Sequence, residues 1–176
     1  MTRAEGPATT DDFRLLLGHF PTGVVAVTAI HATRPVGLVV GSFFSISLRP
    51  PLIGFGINNT STSWPLISAG RTFCVNVLAA DQDHVSRALA ATGPDKFADL
   101  SWHASEAGSP VIDGSLAYLD CDLHASHNAG DHLLIIGLVR RFRHLRSAAP
   151  LVFFRRGYWS LSSTPDSTQS TGECLD

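Results

Sequence analysis

Gly37-Leu38-Val39-Val40-Gly41-Ser42-Phe43-Phe44-Ser45-Ile46-Ser47-Leu48-Arg49-Pro50-Pro51 is the stretch on which the reading of this 176-residue chain turns. An apolar run ends in Gly-Ser, two more serines follow, and a double proline precedes a second apolar run over residues 52–57. Short apolar runs bounded by turn residues read as β-strands. The serines are therefore expected on an irregular connection between two strands. Pro50 and Pro51 donate no ladder hydrogen bond, so they belong at a strand start or edge. Hydroxyls and backbone N–H groups on such a connector suit a phosphate or the polar edge of a heterocycle. From these residues alone, a polar turn whose serines cap their own backbone is an equal reading.

Towards the N-terminus, Gly23-Val24-Val25-Ala26-Val27-Thr28-Ala29-Ile30 reads as a strand, joined to the opening stretch by a hairpin-like connection over residues 31–35. A short helix is expected over residues 13–20, capped by Asp11 or Asp12, with Phe13, Leu16, Leu17 and Phe20 on one face. Towards the C-terminus, Asn58-Asn59-Thr60-Ser61-Thr62-Ser63 leads into Trp64-Pro65, a helix start with Ser61 or Ser63 as cap. Such a start offers unpaired N–H groups to an anion, or is plain capping. A strand over 71–78 and a helix over 81–91 capped by Asp81 come next. The loop Thr92-Gly93-Pro94-Asp95-Lys96-Phe97 follows, then irregular chain over 98–114 and strands over 115–126, 131–146 and 151–161. Hairpin-linked strands with few helices indicate an antiparallel barrel and not a βαβ sheet. The division expected is an arm at 1–10, one domain at 11–161 and a disordered Ser/Thr/Pro/Asp-rich tail at 162–176.

Composition narrows the class. With 44 % hydrophobic and 16 % charged residues the chain folds, and its low surface charge hints at a covered face. A net charge of −2 carries no footprint for nucleic acid. No apolar run approaches membrane-helix length and no signal-peptide layout opens the chain, so a cytoplasmic protein is expected. Cys74 and Cys121 sit in strand-like runs, as small buried hydrophobes. There is no G-x-G-x-x-G, Walker loop or G-x-S-x-G elbow. His124, His127, Asp131 and His132 lack zinc-site spacing, and no metal is expected. His132, beside Asp131 at a strand mouth, suits a proton donor or an oriented ring. With no nucleophile and no paired carboxylates, chemistry would come from a bound cofactor.

Seven motifs in order carry a resemblance: Phe20-Pro21-Thr22-Gly23-Val24, Ser42 through Pro51, Phe73-Cys74-Val75-Asn76-Val77-Leu78, Asp95-Lys96-Phe97, Gly108-Ser109-Pro110, Leu116-Ala117-Tyr118-Leu119-Asp120-Cys121 and Gly130-Asp131-His132. Together they resemble the short-chain flavin reductase family, the NAD(P)H:flavin oxidoreductase components of two-component monooxygenases. The resemblance implies a mainly β fold, an antiparallel Greek-key split β-barrel of FMN-binding type with a few short helices, homodimeric. It implies FMN or FAD along Val39, Val40, Gly41, Ser42, Phe43, Ser45, Ser47 and Ile57. The phosphate would fall to Asn58, Ser61, Ser63 and Lys96, beside Phe97. Asp131, His132 and Tyr158 would lie by the nicotinamide of NADH (NADPH ranked after it), with His132 as the catalytic residue. Reduced flavin would diffuse to a separate flavin-dependent monooxygenase. A non-catalytic flavin carrier or another split-barrel oxidase is the alternative. Gly41 stands where many relatives carry a small or polar side chain, the segment after Ser86 lacks their Arg-Phe or Phe-Ala, and Phe154 replaces a common tyrosine.

Overall fold

The computed structural model describes residues 9–93 and 95–161; Cys174, most of the expected arm and the whole expected tail lie outside them. The elements are α1 (Thr10–Leu17), β1 (Thr22–Gly23), β2 (Val25–His31), β3 (Arg34–Val40), β4 (Phe44–Leu48), β5 (Pro51–Asn58), α2 (Trp64–Ala69), β6 (Thr72–Val77), α3 (Asp83–Ala90), β7 (Trp102–Ala104), β8 (Pro110–Ile112), β9 (Ala117–Ala129), β10 (His132–His144), β11 (Leu151–Phe154) and β12 (Gly157–Ser160). Seven strands form one antiparallel sheet in the order β3-β2-β6-β9-β10-β5-β4, accompanied by β1-β11-β12 and by the hairpin β7-β8. The protein is mainly β with few helices, as its sequence indicates. Among the described residues no helix is long and apolar enough to cross a membrane.

β2 explains its own sequence. Val25, Val27 and Ala29 face the principal core with Phe55, Phe73, Trp64 and Ile135, while Val24 and Ala26 face a second cluster with Leu89, Phe97 and Leu151. Burial on both faces replaces alternation by a near-continuous apolar run. Phe55, fully buried, meets Trp64 and Phe73 edge-on at 5.9 and 5.6 Å between centroids. Burying one such side chain contributes roughly 1.5–3 kcal/mol. Cys74 and Cys121 are buried thiols; burial first and the Asp120 carboxylate second push Cys121 up to about 12 and Cys74 upward as well.

Several expected elements are corrected. The opening stretch does not stay irregular: residues 41–43 are loop and 49–50 a turn, and Ser45 and Ser47 lie on β4, an edge strand laddered to β5 with a bulge. Alternation over Phe44, Ile46 and Leu48 is a strand pattern that the serines disguise. The first helix begins three residues earlier than expected, because Thr9 and Asp12 form a reciprocal capping box in which the Thr9 hydroxyl accepts from Asp12 N at 3.2 Å. Its apolar face is exposed. At α2, of the two serines expected as cap, Ser61 serves, its Oγ accepting from Trp64 N at 3.2 Å, while the Ser63 side chain makes no capping bond. α3 starts at Asp83, not Asp81, whose carboxylate pairs with Arg146 at 2.6 Å. The strand expected over 151–161 is the hairpin β11–β12, turned by Arg155 and Arg156 at φ 48° and 63°. Two arginines carry none of the usual Asn-Gly signal for such a turn. Residues 98–114, expected to be irregular, contain β7–β8, fixed to the sheet by distant side chains. Thr28 Oγ1 donates to Pro110 O at 2.6 Å, and Asn76 Oδ1 accepts from Ile112 N at 2.8 Å.

Candidate functional site

The last residues of β3 and the loop after it meet the end of β5. Ser42 is the joint: its Oγ accepts from Gly56 N at 2.9 Å and donates to Gly56 O at 3.3 Å, continuing the contact where the β4 ladder stops at Gly54. At Gly41 a Cβ would stand 2.7 Å from Thr22 Oγ1 on β1, so a larger residue would need Thr22 to shift.

From this joint a cleft of about 360 Å³ opens between β3 and the β5–β10 pair. Val39, Val40, Gly41, Ser42, Ile57, Asn58, Ser61 and His132, all expected from sequence, line it. Leu38 and Gly56 line it too, and carry no sequence signal beyond being strand residues. His132 pairs with Asn58 in the β10–β5 register. Its Nδ1 lies 2.7 Å from Asp131 Oδ1, and the hydrogen bond to His132 holds the Asp131 carboxyl below the usual carboxylate range. The β9–β10 turn is fixed in turn by Asn59, whose N and Nδ2 donate to Asp131 O and Gly130 O at 3.0 and 3.3 Å.

Further along β3, past the 58–63 loop, a second cleft of about 300 Å³ runs beside Pro35, Val36 and Gly37. Thr62, Ser63, Lys96 and Phe97 form its other walls. Asn58 Oδ1 shapes the loop between the two clefts, accepting from Thr60 N and Oγ1 at 2.8 and 2.7 Å. Lys96 Nζ donates to Ser63 Oγ at 3.1 Å and to the Leu89 carbonyl at 2.9 Å, and partial burial lowers its pKa. Of the residues expected to serve one anion, Ser63 and Lys96 are brought together in this cleft, while Asn58 and Ser61 line the first one. Among the described residues no Asp or Glu lines either cleft.

A smaller cavity of about 180 Å³ shares Val39, Val40 and Gly41 with the first cleft and holds Tyr158. The Tyr158 hydroxyl lies 2.9 Å from Ser86 Oγ, and the Arg87 guanidinium sits 5.0 Å from its ring centroid. Phe43 packs against the principal core, while Ser45 and Ser47 stand on β4 and line none of these three cavities. The donor set fits a flavin: apolar walls for a ring, hydroxyls for a polyol and one cation for a phosphate.

The chain belongs to the family described as flavin reductase like domain, which it matches over residues 17–162. It is 46 % identical over 147 residues to a flavin reductase from Pseudomonas putida, covering 83 % of this chain and 86 % of that one. It is 42 % identical over 148 residues to the FMN reductase (NADH) SmoA of Agrobacterium fabrum, covering 84 % of each. Among solved structures it resembles nitrilotriacetate monooxygenase component B from Mycobacterium thermoresistibile, with a TM-score of 0.85 and 40 % identity over 94 % of this chain and 95 % of that one.

Proposed function

We propose that this protein is an NADH-dependent flavin reductase that passes hydride to FMN or FAD and supplies reduced flavin, by diffusion, to a separate flavin-dependent monooxygenase. The observation that carries this is the pair of adjoining clefts along β3, with His132 and the Gly41–Ser42 joint at one end and the Lys96–Ser63 contact at the other. A bound flavin supplies the redox chemistry; the protein supplies position and protons. The backbone of residues 41–43 borders the ring edge, since the Ser42 hydroxyl is already engaged by Gly56. Lys96, Ser61 and Ser63 hold the phosphate. Asp131 orients His132 through Nδ1, so that Nε2 holds or delivers a proton at the cleft. Tyr158 borders the nicotinamide side. Ser45 and Ser47 stand further along β4, at the outer rim. The seven-stranded sheet forms a split barrel, and two chains pair as a cytoplasmic homodimer.

The test is NADH consumption by the purified chain with and without FMN, FAD or riboflavin, repeated with NADPH. Turnover that requires added or bound flavin and favours NADH is expected. Flavin binding without turnover for any pair would replace the reductase by a carrier.

A further inference from the structure

A flavin brings either one phosphate, as FMN, or two phosphates and an adenosine, as FAD, and the surfaces on either side of Lys96 differ in charge. From Pro35 to Gly41 the two clefts share β3 as one wall, about 20 Å long at the ~3.3 Å rise of a strand residue. That is about the extended length of a flavin ring with its ribityl chain and one phosphate. Among the described residues Lys96 is the only Lys or Arg lining these clefts. It also borders a third cleft, of about 360 Å³, between the end of α3 and residues 95–99. There the charge reverses. Asp95 and Asp99, both exposed, line this third cleft, and among the described residues no basic residue other than Lys96 does so. Arg87, the basic residue of α3, is committed elsewhere: its Nε donates to Asp83 at 3.2 Å, and its guanidinium lies over Tyr158.

We propose that the groove selects a flavin with a single phosphate, FMN over FAD, because that phosphate ends on Lys96 and Ser63 while the AMP half of FAD must continue past Asp95 and Asp99. The inference rests on the flavin reductase reading above. Like charges within a Debye length of roughly 8–10 Å repel appreciably at physiological salt, and one lysine already neutralised by the first phosphate cannot offset two carboxylates facing the second.

Dissociation constants of riboflavin, FMN and FAD, read from flavin fluorescence with the full chain at low and high salt, test this. The variants are Lys96→Met and the pair Asp95→Asn/Asp99→Asn. In the wild type FMN is expected to bind about tenfold more tightly than FAD, the order available to one like-charge contact near a protein surface. The Asn pair should tighten FAD, leave FMN nearly unchanged and bring the ratio towards one, as should high salt. Lys96→Met should weaken FMN towards riboflavin. FAD binding as tight as FMN in the wild type, or a ratio unmoved by the Asn pair, would overturn the proposal. Failure of all three flavins to bind, riboflavin included, would instead overturn the flavin reductase reading itself.

Discussion

His132 opens β10 directly after a turn, and its ring is held through Nδ1 by a carboxylate on the preceding residue. Its neighbourhood in sequence, Gly130-Asp131-His132, shows the acid beside the base, but only pairing with Asn58 carries the ring to the cleft. His132→Ala is expected to lower NADH oxidation by about 10²-fold, the lower range for a positioned proton donor, with the FMN dissociation constant nearly unchanged. Unaltered turnover would reduce His132 to the end of a strand. Ser42 shows the opposite relation between legibility and role. Its position at a strand end flanked by glycine marks it as special in the sequence, yet the hydroxyl is used by the fold, bridging β3 to the Gly56 backbone. Gly41 reads as a turn glycine, and a side chain there would need the Thr22 hydroxyl across the sheet gap to shift.

At the scale of elements, strands buried on both faces or on one strong face are legible, because their apolar runs are local: β2, β3, β5, β6 and most of β9 and β10 lie where the sequence puts them. The hairpin β7–β8 is not. Its strands are three residues each; Thr28 and Asn76, far away in sequence, hold β8, and Asp120 on β9 holds the connecting turn through Ser105. Asp120 is 2 % exposed, with Oδ1 accepting from Ser105 Oγ at 2.8 Å and Oδ2 without a hydrogen-bond partner among the described residues. Burial raises its pKa; the Ser105 hydroxyl, the Ala107 N–H and Arg141 oppose the rise and Glu106 adds to it. With the folded-state pKa above the unfolded one, this group's contribution to stability is greatest below the unfolded value and declines as pH rises through the folded value. Asp120→Asn removes the charge. Relative to wild type it should raise Tm by about 2–4 °C at pH values well above the raised pKa, the shift for roughly 1 kcal/mol in a chain of this size. The gap should close in acid. Thermal unfolding of both proteins across pH measures this, and a gap independent of pH would show that Asp120 is neutral or compensated in the fold.

At the scale of the molecule, apolar side chains on α1 and on β4 are among those left uncovered by one chain. Phe13, Leu16, Leu17 and Phe20, at the α1 end of the chain, are 57, 68, 53 and 72 % exposed, and the edge strand β4 shows Phe44, Ile46 and Leu48. A bare apolar edge strand is an aggregation hazard unless something covers it. The proposed homodimer supplies a cover. Sedimentation is expected to give twice the chain mass, and Phe13→Glu/Leu16→Glu to shift the protein towards monomer. A wild type that sediments as a monomer at all concentrations would discard the dimer.

The sequence by itself determined the mainly β class and the succession of hairpin-linked strands, because apolar period and turn residues act over a few neighbours. The Arg155–Arg156 turn, the β7–β8 hairpin and the spacing of His132 from Lys96 were decided only by the tertiary structure. Each depends on groups brought together across the sheet or on backbone geometry, at positions where no local pattern distinguishes one partner from another.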